Sequence, residues 1–479
     1  MALRCHSNYL GDKMKATIVT DIGYGDAGKG TTVDFIARQE VSPVIVRFNG
    51  GAQAAHNVVT PEGKHHTFSQ FGSGSFVKGA RTFLSRFVLL DPYSLQNEAR
   101  GLESLGVPQP LSRMYVDGEA LVVTPFQKAA NRVREVLRGK GRHGSVGMGI
   151  GETMADMIAF PHLAVRARDL RHVGELEQKC RNLQELKFTE FGEKLVELMS
   201  QGVLHDELRL LTDPSASKVV AREMVSMARQ FSLVSMKTLE RLSYKHSLIF
   251  EGAQGVLIDE WHGFHPYTTW STATNANANL LLAELSYPEI VKRIGVVRAY
   301  ATRHGPGPFP SEDDVLTKVL PDMHNGFGAW QGGFRVGWFD IPLTRYALAV
   351  SDGIDSLALT HLDRFAQLKE KHVVEYYKVA KSSLTKRERK AVVVDKKASK
   401  GDEWFITSFR KKEDLEDLTY QEMLGAIVEK ATPVYKKVEE TGEAFADYLQ
   451  RKLSLPVTIT SYGPTAVDKR QSAELQKAA

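Results

Sequence analysis

An aspartate and a lysine sit among four glycines in one short stretch of this chain, Gly23-Tyr24-Gly25-Asp26-Ala27-Gly28-Lys29-Gly30. Glycines let a backbone turn tightly and come close to a ligand. Amides that open a following helix can face an anion. Gly23, four residues, then Gly28-Lys29 nearly spells a Walker A phosphate loop, but Gly30 stands where a serine or threonine hydroxyl should meet magnesium. Asp26 is the anomaly, because a pure phosphate cradle has no need of a carboxylate. Two readings stay open at this point: a phosphate-binding loop, and an ordinary glycine-rich strand-to-helix turn.

Such a loop needs a strand before it and a helix after it. MKATIVTD, from Met14, supplies the strand, and VDFIARQE the helix. Other apolar runs follow the same rule of ending in glycine or polar residues: PVIVRFNGG (43–51), HSLIFEGAQG (246–255), RIGVVRAYATRHGPGPFP (293–310), GIDSLALTHLDRF (353–365) and VTITSYGP (457–464). Repeated strand–loop–helix units imply an α/β fold with a large, mostly parallel sheet, flanking helices, and inserted helical and antiparallel segments. Its ligand crevice should lie at the C-terminal ends of the strands. Residues 170–246 read as a helical insert, and 370–410 as antiparallel strands. The expected organisation is a flexible extension over 1–13, one domain over 14–465, and a polar tail over 466–479.

Composition excludes several classes. The net charge of +5, from 62 basic and 57 acidic residues, suits a phosphate-bearing small molecule better than nucleic acid, which needs a concentrated patch. The most basic stretch, Ser382–Lys400, has few aromatics and reads as a solvated loop or hairpin. Cys5 and Cys180 cannot make a disulfide framework, and they fit a reducing compartment. The first 20 residues lack the apolar core of a signal peptide, and no run approaches a membrane span. A cytoplasmic protein without nucleic-acid or membrane partners is the expectation. His65, His66, His262 and His265 are closely spaced, but no carboxylate spacing beside them supports a metal centre.

The strand-end signatures also occur together and in order. GYGDAGKG (23–30), FNGGAQAAHN (48–57), IFEGAQG (249–255), HPYTT (265–269), GPGPFPSE (305–312), LTHLD (359–363) and SYGP (461–464) resemble the adenylosuccinate synthetase family over roughly residues 15–465. That resemblance implies a GTP-dependent ligase that is a homodimer and needs Mg2+. Such an enzyme phosphorylates the 6-oxygen of inosine monophosphate, or a related purine nucleotide, and then displaces phosphate with the amine of L-aspartate. It implies that Asp26 is the base toward N1 and O6 and also a magnesium ligand, and that His56 is the acid that assists phosphoryl transfer. The backbone carbonyl of Ala55, which replaces a family glycine, would be a second metal ligand. Gly25, Gly28, Lys29, Gly30, Asp363, Ser461 and Gly463 would bind GTP. Gln53, Ser145, Gln254 and Thr269 would bind the acceptor, and Arg335 and Arg303 the amino acid.

The departures gather on the selectivity pockets. His361 replaces the lysine that packs over the base. Ser145-Val146-Gly147-Met148-Gly149 replaces a phosphate-binding Thr-Thr-Gly-Arg-Gly. The family's run of arginines for the amino acid is reduced to Arg335 in GAWQGGFRVGW (328–338). Alternative readings are therefore a divergent synthetase with the same phosphorylate-then-displace logic on another acceptor or amine, or using ATP, and a nucleotide-binding paralogue without turnover.

Overall fold

A computed structural model describes residues 15–139, 147–287, 291–322 and 333–472. Its frame is a sheet of ten strands: β1 (Ala16–Asp21), β2 (Val44–Arg47), β3 (Arg81–Leu84), β4 (Met114–Asp117), β5 (Ser232–Val234), β6 (Leu248–Gly255), β7 (Val291–Arg298), β8 (Ser356–Thr360), β9 (Val457–Ser461) and β10 (Lys469–Gln471). Their order across the sheet is β10-β9-β8-β7-β1-β6-β2-β3-β4-β5. Every neighbouring pair is parallel except β9 with β10. The central strands are apolar and covered on both faces, as parallel strands must be. β1 sits between β6 and β7, and the chain leaves it through helix α1 (Lys29–Ala37) to reach β2 beyond β6. That is a topological switch point, where a crevice opens above the strand ends.

The register sets the crevice walls. Asp21 at the end of β1 lies opposite Gly255 of β6 and Val296 of β7, and Arg298 lies opposite Thr360. The first strand thus delivers the glycine-rich loop between the EGAQG turn and the end of β7. Gly255 has no room for a side chain, because a Cβ there would collide with Gly25 N and Gly23 O. The two glycine motifs occur together in the sequence because they touch in the fold.

Around the sheet, the helical region holds helices Val173–Phe191, Glu193–Ser200, His205–Thr212, Ala216–Ala228 and Met236–Ser243. It is not a detached insert. Ser232–Val234 pairs with β4 and extends the main sheet, and Leu176, Cys180 and Leu183 share one core with Phe68, Leu90 and Val122. Residues 372–380, 392–394, 403–409 and 432–437 form antiparallel pairs in a second sheet. Within the basic stretch, Lys386–Ala391 is a short helix rather than a loop, started by the reciprocal Thr385–Glu388 capping box. The expected polar tail also needs correction. Lys469–Gln471 pairs antiparallel with β9, so the chain is built into the sheet edge to that point. Residues 1–13 of the expected extension lie outside the described residues.

Candidate active site

The phosphate loop is held from beneath by Asp21, which is fully buried. Its carboxylate accepts from Gly23 N and Ala27 N, each at 2.9 Å, and from Lys29 Nζ at 3.0 Å. Gly28 caps α1 at φ 94°, a left-handed conformation that favours glycine. Asp26 also adopts a left-handed φ of 59°, tolerated by aspartate better than by most residues. This turn aims Asp26 into a cavity of about 250 Å³ whose wall also includes Gly28, Lys29, Gly30, Ala55, His56, Arg298, Asp363, Ser461 and Gly463. Burial raises the Asp26 carboxyl above its ordinary value, with Lys29 and Arg298 pulling partly against it. A carboxylate made more basic in this way accepts a proton more readily. Gly25, the remaining expected nucleotide contact, faces a separate small recess behind the loop.

Gly30 has a steric cause. A Cβ there would stand 2.8 Å from His56 Cβ and 3.0 Å from Ser73 Oγ. The hydroxyl of a standard phosphate loop is excluded because a histidine occupies its place. His56 Nδ1 lies 2.6 Å from Glu251 Oε1, and Glu251 also accepts from Ser73 N at 2.9 Å and from Ser73 Oγ. Burial alone would raise the Glu251 carboxyl, yet Arg47, His56 and Ser73 outweigh it and hold it at about 2. Burial pushes the His56 imidazole down to about 4, despite Glu251. The resting pair is therefore a neutral imidazole that donates Nδ1–H to a carboxylate, leaving Nε2 for the cavity. Negative charge arriving in the cavity favours the imidazolium, which Glu251 is placed to support. Glu251→Gln should lower kcat by about 10²-fold, on the scale of acid–base contributions. Steady-state kinetics check this, and an unchanged kcat would remove Glu251 from the chemistry.

At the far end of the cavity, Asp363 sits in the first turn of the short Leu362–Ala366 helix. Ser461 Oγ donates to Gly463 O at 3.1 Å across the opposite turn. Thr360 Oγ1 donates to Ala27 O at 2.6 Å and fastens this end to the phosphate loop. His361 is held at φ 59° with its ring edge-on to Tyr300, centroids 5.9 Å apart. Burial lowers its imidazole well below the ordinary value, so it meets a ligand as a neutral ring.

Of the expected acceptor residues, Gln53 and Gln254 converge outside this cavity. Gln53 Nε2 and Oε1 and Gln254 Oε1 are buried with no hydrogen-bond partner. A Cβ on Gly50 would lie 3.6 Å from Gln254 Oε1 and 3.8 Å from Gln53 Nε2, so both amides face the space above that glycine. Buried amides without partners are costly unless a polar ligand satisfies them. Thr269 N donates to Ile258 O at 2.8 Å, and Ser271 Oγ, in the same loop, accepts from Gly50 N at 3.0 Å. Helix α2 (Ile150–Ala159) begins beside them, with Ile150 Cδ1 2.9 Å from where a Cβ on Gly51 would be. Met148 packs with Leu89, Leu121 and Ile150, an apolar use of a position where the family has arginine. Ser145 lies outside the described residues.

The arginines expected to bind an amino acid are engaged elsewhere. Arg303 is buried, and its guanidinium donates to Pro306 O at 3.1 and 2.8 Å and to Pro308 O at 2.9 Å. Arg335 donates to Glu312 at 2.7 Å, to Gly305 O at 2.8 Å and to Gly307 O at 3.0 Å. Together they brace the GPGP loop, and neither lines the cavity.

Two residues of the site stand outside the expected set: Arg298 in the cavity wall and Glu251, bonded to His56. Arg298 Nη1 donates to Asp26 O at 3.2 Å, and Nη2 donates to Tyr300 Oη at 3.0 Å and Asp322 at 3.4 Å. Only its place at the end of an apolar strand could have suggested it. Glu251 stands inside the IFEGAQG block, where an acid in an otherwise apolar strand was the available signal. Among the described residues no group of three or more His, Cys, Asp or Glu is placed to hold a metal. No described helix is long and apolar enough to cross a membrane.

Comparison with known proteins gives the same pattern. A family model described as adenylosuccinate synthetase matches residues 18–469. Adenylosuccinate synthetase of Rhodococcus erythropolis is 32% identical over 379 residues, covering 76% of this chain and 81% of the relative. That of Chlorobium chlorochromatii is 27% identical over 456 residues, covering 94% and 95%. Among solved structures, fully ligated adenylosuccinate synthetase from Plasmodium falciparum superposes with a TM-score of 0.70 at 20% identity, over 96% of this chain and 100% of that one. Cyanophage S-2L succinoaminodeoxyadenylate synthetase, bound to dGMP and dATP as an energy donor, gives 0.56 at 16% identity, over 97% and 98%. These two likenesses concern the fold alone. The family match spans both glycine motifs, the His56 segment and the base-side turn, and the chain belongs to the adenylosuccinate synthetase family of ligases that form a carbon–nitrogen bond.

Proposed function

We propose that the chain phosphorylates the 6-oxygen of a purine nucleoside monophosphate with GTP and then displaces the phosphate with the amine of L-aspartate. Inosine monophosphate, or a related purine nucleotide, is the acceptor, and adenylosuccinate or its analogue, GDP and phosphate are the products. The observation that carries this reading is the joining of Asp26, Lys29 and His56 around one cavity that continues to Asp363. A ring oxygen is a poor leaving group until it is phosphorylated. Asp26 takes the proton that sharpens the oxygen as a nucleophile, Lys29 stands ready for phosphate once released from Asp21, and His56 with Glu251 supports charge on the group in transfer. The orphaned amides of Gln53 and Gln254 suit the polar edge of a purine.

Oxygen donors fit magnesium, and Asp26 and Ala55 line the same cavity as Lys29. Ala55 is not among the residues with positive φ, so replacing the family glycine leaves no backbone strain at that carbonyl. When bound, the ion would supply positive charge against the phosphate oxygens. Homodimer formation and a cytoplasmic location accompany this reading as family expectations.

Asp363 suits guanine, because a carboxylate can accept from N1 and N2, a donor pair that adenine lacks. Asp363→Asn should reduce the preference for GTP over ITP and ATP by about 10- to 100-fold, the worth of hydrogen bonds to a charged group. Competition kinetics with the three triphosphates measure it, and unchanged discrimination would sink the assignment. A second reading rests on Arg303 and Arg335, whose guanidinium groups are engaged by backbone carbonyls and Glu312. It keeps the two-step chemistry but changes the amine or acceptor, or uses ATP. Incubation with GTP or ATP, magnesium, purine monophosphates and a panel of amines, read by product mass, separates the two. Absence of any substrate-dependent GDP would favour a paralogue that binds nucleotide without turnover.

A further inference from the structure

The segment after the base-side turn is pinned to the phosphate-loop helix by one buried lysine. Lys469, 7% exposed, donates from Nζ to Thr31 Oγ1 at 2.5 Å and to Thr465 O at 2.9 Å. Thr31 is two residues beyond Lys29 in α1 and in turn donates to Pro464 O at 2.8 Å. Thr465 N and Oγ1 donate to Asp468 at 2.9 and 2.6 Å, and Tyr462 N donates to Asp468 O at 3.0 Å. A Cβ on Gly463 would meet Asp468 at 2.7 Å, so the turn and the segment behind it are closely packed. Lys469 has no carboxylate within ion-pair distance among the described residues and does not line the cavity.

We propose that Lys469 is a positioning residue for the nucleoside triphosphate, its ammonium tying the Ser461–Pro464 turn that flanks the base to the helix that cradles the phosphates. The inference rests on the nucleotide reading of this cavity. With the tie in place, base wall and phosphate floor keep one spacing before the ligand arrives, and less ordering remains to be done on binding. Three carboxylates act on the ammonium through their charge: Asp34 from α1, Asp468 beside the turn, and Asp363 at the base end. Burial outweighs them and lowers the Lys469 amine to about 8. The sign follows from linkage. A nucleotide that binds better to the charged form has its full affinity below about 8, and the affinity declines as the pH rises above it.

The test uses the full-length protein, with GTP binding followed by equilibrium dialysis and turnover followed separately. Lys469→Met should raise the GTP dissociation constant about tenfold, the equivalent of one charge-assisted hydrogen bond. The acceptor KM and the kcat at saturating GTP should stay within about twofold, a split that general loss of structure would not produce. Wild-type affinity for GTP should fall between pH 8 and 10, and Lys469→Arg should restore tight binding and make that decline shallower, leaving only the part due to ionisation of the guanine. Unchanged GTP affinity in Lys469→Met, or a flat wild-type profile, would overturn the proposal. Should the Met variant fail to fold, Lys469→Arg decides: a shallower decline than that of the wild type supports the tie, and an identical decline overturns it. Failure of the wild-type protein to bind GTP or ATP at any pH would instead overturn the nucleotide reading itself.

Discussion

Asparagine in place of Asp26 is expected to cut kcat by about 10³-fold, within the range of general acid–base catalysis, while GTP still binds. Asparagine is the informative replacement because it tolerates the left-handed φ of 59° that position 26 adopts. The loop geometry therefore survives, and the amide keeps the shape of the carboxylate without its basicity. Alanine would mix two effects, a lost base and a strained turn. The Asp21 contacts that hold the loop, to Gly23 N, Ala27 N and Lys29, do not involve the Asp26 side chain. GTP binding is accordingly the internal control. Full turnover in the variant would refute the base assignment, and loss of nucleotide binding along with turnover would reassign Asp26 to the phosphate cradle.

Gly30→Ser is the second large effect, and its direction separates this site from an ordinary phosphate loop. Judged by the Walker A pattern alone, serine would repair a defect and strengthen magnesium and nucleotide binding. Judged by the packing, it forces a Cβ to within 2.8 Å of His56 Cβ and 3.0 Å of Ser73 Oγ. His56 cannot yield freely, because its ring is fixed to Glu251 at 2.6 Å and Glu251 is fixed to Ser73. Displacing the ring by a fraction of an ångström disorders the pair that supports phosphoryl transfer. A fall in kcat of about 10²-fold is expected, on the scale of a misplaced catalytic group. Activity equal to or above wild type would show that the histidine is not where the chemistry needs it.

The parts of this molecule that read well from sequence are those where a backbone demand selects one residue type. Gly28 is legible because it caps α1 with a left-handed φ, and Asp26 because a carboxylate among phosphate-binding glycines is chemically out of place. The central parallel strands were visible as apolar runs ending in glycine or polar residues, because both faces of such a sheet are covered. The surroundings of Arg303 and Arg335 are illegible for a different reason. An arginine's charge is visible in a sequence, but the carbonyls that satisfy it depend on how the GPGP loop folds back. Lys469 was lost in a polar C-terminal stretch, where only the pairing of β10 with β9 shows that it is buried. Glu251 is hard to see in sequence because the glycines dominate its motif. Met148 and His361 show the limit of motif matching, since each stands where the family places a cation and each is held by local packing or hydrogen bonding.

The central claim is that Asp26, Lys29 and His56 serve transfer of phosphate to an acceptor oxygen that is then expelled. Isotope transfer tests it most directly. Inosine monophosphate carrying 18O at position 6 is incubated with the protein, GTP, magnesium and L-aspartate, and the released phosphate is examined by mass spectrometry. The 18O is expected to leave in inorganic phosphate in proportion to product formed. Product accompanied by unlabelled phosphate would contradict it.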